Sequence, residues 1–254
     1  MVTGIHSFIE WFRGYEEYYT IIGGTACDIL MSEAGLDFRA TKDIDLVVIV
    51  EAVNVDFGKQ FWEYITNAEY EHCNKSTGKP QFYRFMHPKS NNYPAMIELF
   101  SRKPDILGSS LETVLTPLPI DDEISSLSAI LLDEDYYEFL KQGRRTVSGV
   151  SILDAGHLIP FKAKAWLDLI NRKSNGDKID SKNIRKHKND VFRLSDILKP
   201  DIHIKIPEPI YSDMNMFIDR MRGENIDLLN LGIMERTKDE ILDELSQIYE
   251  NSSK

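Results

Sequence analysis

The chain has 254 residues, 42% of them apolar and 28% charged, and its 30 basic against 41 acidic residues give a formal charge of −11. This composition excludes a disordered chain and a disulfide scaffold. The longest aliphatic run, Leu46 to Val50, falls far short of the roughly 20 residues that cross a bilayer.

In chain order, Ile5, Phe8, Ile9, Phe12 and Tyr15 recur at three-and-four spacing, which predicts an amphipathic helix over Ile5–Tyr18. Tyr19–Ile22 is short, apolar and β-prone. Gly23-Gly24 breaks it, and Thr25–Met31 starts a second helix. Thr41–Val50 predicts a second strand, with Asp43 and Asp45 ahead of its aliphatic run. Phe57–Ile65 reads as helix. Gln81–Met86 and Ala95–Phe100 read as strands around a polar turn, His87–Pro94. Pro117 and Pro119 punctuate the chain before a helix over Glu123–Lys141, followed by a short β-prone pair around Val147 and Val150–Leu153.

From His157 onward the pattern is almost entirely helical, over His157–Arg172, Ser181–Leu198, Pro209–Arg222 and Lys238–Tyr249, with a loop at Lys173–Asp180 and a frayed tail from Asn251. The expected organisation is an α/β domain over residues 1–155 and a helical domain over 156–254. Met1–Arg13 has no basic segment ahead of an apolar one, so no signal peptide is expected and the location is expected to be cytoplasmic. Cys27 and Cys73, with no CxxC pairing, fit reduced thiols. The six histidines show no HxH or HExxH spacing, which argues against a zinc enzyme.

The chemically informative residues are Gly23, Gly24 and Thr25 and, on the next strand, Asp43 and Asp45. Side chains alternate along a strand, so the two aspartates share one face. Two like charges side by side call for a cation, and hard oxygen ligands suit Mg²⁺ or Mn²⁺. The glycines let backbone approach a phosphate just before a helix N-terminus, and Thr25 adds a hydroxyl donor. A triphosphate on one side and a metal on the other are the minimum equipment for nucleotidyl transfer.

Glu98, a lone carboxylate in the strand Ala95–Phe100, is the candidate third metal ligand and the general base for an acceptor hydroxyl. Its alternative reading is an ion pair with Arg102 or Arg84. Lys162 lies among Leu158, Ile159, Ala165, Trp166 and Leu169 at helical spacing, so it emerges from a buried face and needs an anion. Lys164 has Asp168 four residues on, enough for a surface pair. The basic run from Lys182 to Arg193 is a candidate patch for a polyanion, with a solvated helix face as the alternative. Arg39 and Lys42 either steer a triphosphate or are simply solvated.

Ile21-Ile22-Gly23-Gly24-Thr25-Ala26 and Arg39-Ala40-Thr41-Lys42-Asp43-Ile44-Asp45-Leu46 together resemble the signature of the polymerase-β-like nucleotidyltransferases, specifically the AbiEii/AbiGii-toxin-like branch. Lys162, followed three residues later by Ala165, resembles that family's lysine element, which implies a role at the nucleotide phosphates. Lys188-Asn189-Asp190 resembles its late motif, which implies that Asp190 belongs to the site. The likeness runs from about residue 19 to 198, with two departures: a longer gap before Asp43, and Arg193 where many members carry a second aspartate.

The resemblance implies a mixed-sheet nucleotidyltransferase domain followed by a helical region. It further implies Mg²⁺ or Mn²⁺ as cofactor, an NTP as substrate, and an RNA or protein hydroxyl as acceptor. The chain is then a candidate toxin with an antitoxin partner. The alternatives are a nucleotide-binding regulatory module without turnover, and an enzyme that modifies a small, antibiotic-like molecule.

Overall fold

A computed structural model describes residues 2–72, 81–102, 130–131, 133–199 and 201–252. The described residues form two compact units. One comprises those up to residue 102 together with Arg144–Asp154; the other comprises 130–131, 133–143 and everything from Ala155 onward.

The first unit is built on a seven-stranded sheet among the described residues. Its strands are β1 (Tyr19–Ile22), β2 (Asp43–Val48), β3 (Glu71–His72), β4 (Gln81–Met86), β5 (Met96–Ser101), β6 (Arg144–Val147) and β7 (Val150–Leu153), in spatial order β3-β4-β5-β2-β1-β7-β6. β2 is the central strand, antiparallel to β1 and parallel to β5. Ser148 and Gly149, both at positive φ (50° and 85°), close the β6–β7 hairpin, as a two-residue turn with left-handed residues requires.

Among the described residues, three helices belong to this unit: α1 (Ile5–Trp11), α2 (Gly23–Glu33) and α3 (Val55–Asn67). α1 stops short of the expected Tyr18, ahead of Gly14 at φ 86°. Its Phe8, with Phe12 just beyond, meets Tyr19 of β1 and Phe57, Phe61 and Tyr64 of α3 in a fully buried aromatic cluster, the Phe12 and Tyr64 rings being 5.3 Å apart. The apolar positions of α3 lie at i, i+4, i+7 and i+8, which is what places them on one face. Asn54 caps that helix by accepting from the Phe57 amide at 2.9 Å.

The second unit contains α4 (Glu134–Gln142), α5 (Ala155–Ser174), α6 (Ser181–Ser195), α7 (Glu208–Gly223), α8 (Lys238–Ile248), a 3₁₀ turn (Leu229–Leu231) and a parallel strand pair, β8 (Ile204–Ile206) with β9 (Tyr249–Asn251). Trp166 of α5 packs edge-on against Phe217 of α7, and Phe161 against Tyr136 of α4.

Three expectations change here. The α/β domain does not run unbroken to residue 155, because α4 groups with the helical unit before the chain returns to β6 and β7. The region after residue 155 is not wholly helical: β8 and β9 are three-residue strands, too short to show a period. The tail expected to fray from Asn251 is anchored at its described residues, Asn251 ending β9 and the Ser252 amide donating to the Ile206 carbonyl at 2.9 Å. Pro117, Pro119, Cys73 and the start of the helix expected from Glu123 lie outside the described residues. Cys27 is buried and in no disulfide. No described helix is long and apolar enough to cross a membrane.

Candidate active site in the sheet unit

The topology brings the acids together. Because β2 and β5 run parallel, both begin at the same end of the sheet, with Asp43 opposite Met96 and Asp45 opposite Glu98. Partners in register share a face, so Asp43, Asp45 and Glu98 lie on one side of two neighbouring strands. The strand beyond extends the row, with Arg84 of β4 opposite Glu98. Arg84 donates to Glu98 Oε1 through Nε at 2.8 Å, and a second guanidinium nitrogen lies 2.6 Å from the same oxygen. Glu98 is buried, at 9% exposure, while Asp43 and Asp45 are half-buried. A carboxylate as covered as Glu98 requires a partner, and charge-assisted bonds to arginine are among the strongest available.

The glycine corner follows from the same register. β1 runs antiparallel to β2 and ends with Ile22 opposite Asp45, so the chain turns into α2 directly over that carboxylate. Gly23 takes φ 69°, and a Cβ there would overlap Asp45 Oδ2. Only glycine fits both the conformation and the space. At Gly24 a Cβ would lie 3.0 Å from Thr41 Oγ1 and 3.3 Å from the Arg39 guanidinium. Arg39 in turn lies over the Phe38 ring, 5.0 Å from its centre.

Thr25 differs from expectation. It is fully buried, and its hydroxyl donates to the Asp43 carbonyl at 2.5 Å. This hydroxyl therefore pins α2 to the first residue of β2 and positions Asp43, instead of facing outward as a phosphate donor.

Hard carboxylate oxygens on Asp43 and Asp45 suit Mg²⁺ or Mn²⁺. Glu98 stands in register with them but is engaged by Arg84. Among the described residues no three His, Cys, Asp or Glu side chains are gathered closely enough to hold a metal ion. Asp43 and Asp45 thus carry the kind of oxygen such a cation takes, whereas Glu98, the expected third ligand, is engaged by Arg84.

Lys162 and Asp190 belong to the second unit. Lys162 is 4% exposed, Asp190 is fully buried, and Lys162 Nζ donates to Asp190 Oδ2 at 3.0 Å. The lysine that needed an anion has one within its own unit. Arg193 is more distant from the same carboxylate, at 3.9 Å. Lys164 reaches Asp213 at 2.8 Å, not Asp168, and Tyr136 donates to the same Asp213 at 3.0 Å. Burial, followed by the Asp213 charge, raises the Tyr136 phenol well above its ordinary value.

Arg84 is the residue whose part in the site the sequence left undecided. Its signal was geometric: Arg84 and Glu98 stand equally far on either side of Asn91, at the centre of the β4–β5 turn.

No family model matches the chain, and no curated protein does. The AbiEii/AbiGii-toxin-like resemblance thus rests on the motif residues alone. Among solved structures, an antigenic nucleotidyltransferase-like protein from Paracoccidioides brasiliensis is similar, at 14% identity and a TM-score of 0.44, over 92% of this chain and 87% of that one.

Proposed function

We propose that this chain is a nucleotidyltransferase that uses a divalent cation, Mg²⁺ or Mn²⁺, to move a nucleoside monophosphate from an NTP to a hydroxyl acceptor on RNA or protein. The observation that carries the reading is the acid row at the start of the central strand. Asp43 and Asp45 share one face, Glu98 stands in register beside them, and a glycine corner closes over Asp45.

Asp43 and Asp45 hold the cation, which when bound neutralises charge on the phosphates. Thr25 fixes the strand end that carries Asp43, and Gly23 fixes the approach of α2 to Asp45. The backbone from Gly23 opens α2, whose N-terminal dipole favours the anionic phosphate tail. The acceptor oxygen bonds to the α-phosphorus, the bond to the pyrophosphate oxygen breaks, and Glu98 takes the hydroxyl proton. The triphosphate is the donor and pyrophosphate the leaving group, so no further reactant is required.

Asp43→Ala should abolish transfer of label from α-labelled NTP to RNA or protein while the circular dichroism spectrum stays unchanged. Undiminished transfer would remove the proposal. The biological reading is a toxin held in check by an antitoxin protein, with growth arrest on expression that the Asp43→Ala variant lacks. The net charge of −11 favours a second acceptor class, a small cationic molecule such as an aminoglycoside, which the same labelled assay separates from RNA and protein.

A further inference from the structure

We propose that Arg84 withdraws Glu98 from the cation, so that the site holds its metal through two protein carboxylates, Asp43 and Asp45. This rests on the cation-binding reading above and assigns the third acid of the row differently from the expectation.

Three observations carry it. The ion pair is built into the sheet, since register alone sets Arg84 opposite Glu98 and two guanidinium nitrogens converge on one carboxylate oxygen. The pair is largely covered, with 19% and 12% of the two side chains exposed, so parting it leaves a buried charge uncompensated. Among the described residues, moreover, no three His, Cys, Asp or Glu side chains are gathered closely enough to hold a metal ion, as a three-carboxylate site would require. Mg²⁺ in nucleotide sites is commonly held by one or two carboxylates plus the substrate's own phosphates, with water filling the remaining positions of its octahedron. Glu98 therefore stays an ionised partner of Arg84 beside Asp45, kept off the metal and left to the proton-accepting role proposed above.

The test is Mn²⁺ binding to the full chain, read by the loss of the free-ion electron paramagnetic resonance signal, with no nucleotide present. Asp45→Asn should weaken binding about tenfold or more, as loss of a charged ligand does, whereas Glu98→Gln should change it less than about threefold. Arg84→Met should tighten binding by about tenfold by freeing a carboxylate, and the gain should vanish in the Arg84→Met/Glu98→Gln double variant. Arg84→Lys, which keeps the charge but loses the fork, should fall between and serves if the methionine variant does not fold.

A Glu98→Gln loss as large as that of Asp45→Asn overturns the inference and leaves the proposed function standing. A gain in Arg84→Met that survives in the double variant also overturns it, because Arg84 would then act through its charge alone. Absence of Mn²⁺ binding by the unmodified chain overturns both readings together.

Discussion

Each unit carries a covered ion pair, and the two pairs differ in what surrounds them. In the helical unit Lys162 and Asp190 are 5% and 0% exposed by side chain. In the sheet unit Arg84 and Glu98 keep 19% and 12%, and the next strand sets a second carboxylate, Asp45, in register. A pair sealed among apolar side chains such as Leu158, Ile159 and Val191 is closed to a cation from solvent. It fixes the crossing of α5 and α6. A pair at the end of an acidic row lies beside the carboxylates that we propose hold the cation. The first belongs to the fold, and the second to the chemistry we propose.

The contrast breaks most visibly in stability. Lys162→Met takes from the buried Asp190 its hydrogen-bonded lysine, leaving Arg193 at 3.9 Å, and should cost about 3–5 kcal/mol in urea unfolding, whereas the double variant Lys162→Met/Asp190→Leu should recover most of the loss. Arg84→Met should cost less, about 1–3 kcal/mol, the penalty for stranding one partially covered acceptor. Excess Mn²⁺ should restore Arg84→Met, because a ligand bound by the native state alone stabilises it, and should leave Lys162→Met unchanged. Equal losses, or equal rescue, would mean that the two pairs are the same kind of feature.

A smaller effect sharpens the sheet side. Gly23→Ala forces a left-handed alanine, costing about 1–2 kcal/mol, and adds overlap with the Asp45 carboxylate. Gly24→Ala meets only Thr41 Oγ1 at 3.0 Å and should cost less. In the Mn²⁺ assay the first should weaken binding by displacing Asp45, and the second should leave it close to that of the unmodified chain. If the two alanines behave alike, the corner does not position Asp45.

Much of this was legible in the sequence where a pattern repeats locally. The apolar runs in Thr41–Val50 and Ala95–Phe100 placed the acids on strands, observed as Asp43–Val48 and Met96–Ser101, and the Asp43-Ile44-Asp45 spacing put two of them on one face. What escaped depended on contacts distant in the chain. Lys164 had a carboxylate four residues away on its own helix, yet it pairs with Asp213, 49 positions on, which Tyr136 also binds. Thr25 carries a hydroxyl that suits a phosphate equally well; only the antiparallel crossing of β1 and β2, which brings α2 over the start of β2, commits it to the Asp43 carbonyl. β8 and β9 are single ridges of three residues whose partners lie more than forty positions apart.

The smallest expected effect lies at the exposed extreme, where a carboxylate has partners but no burial. Glu240 stands in the first turn of α8, accepting from the Thr237 amide at 2.7 Å and from the Thr237 hydroxyl at 2.8 Å, while the Thr237 hydroxyl accepts from the Glu240 amide at 3.3 Å. The Thr237 amide, then the Thr237 hydroxyl, hold the Glu240 carboxyl below its ordinary value. A carboxyl whose folded value is depressed contributes stability that is present above its unfolded value and lost as pH falls through the folded one. Protection of the α8 amides against hydrogen exchange should therefore decline on acidification in that window, and Glu240→Gln should flatten the decline. If the Glu240 carboxyl titrates by NMR at the ordinary glutamate value, the cap contributes nothing that depends on its charge. The dependence of a pair on its cover would then hold from the sealed Lys162–Asp190 pair outward to the surface.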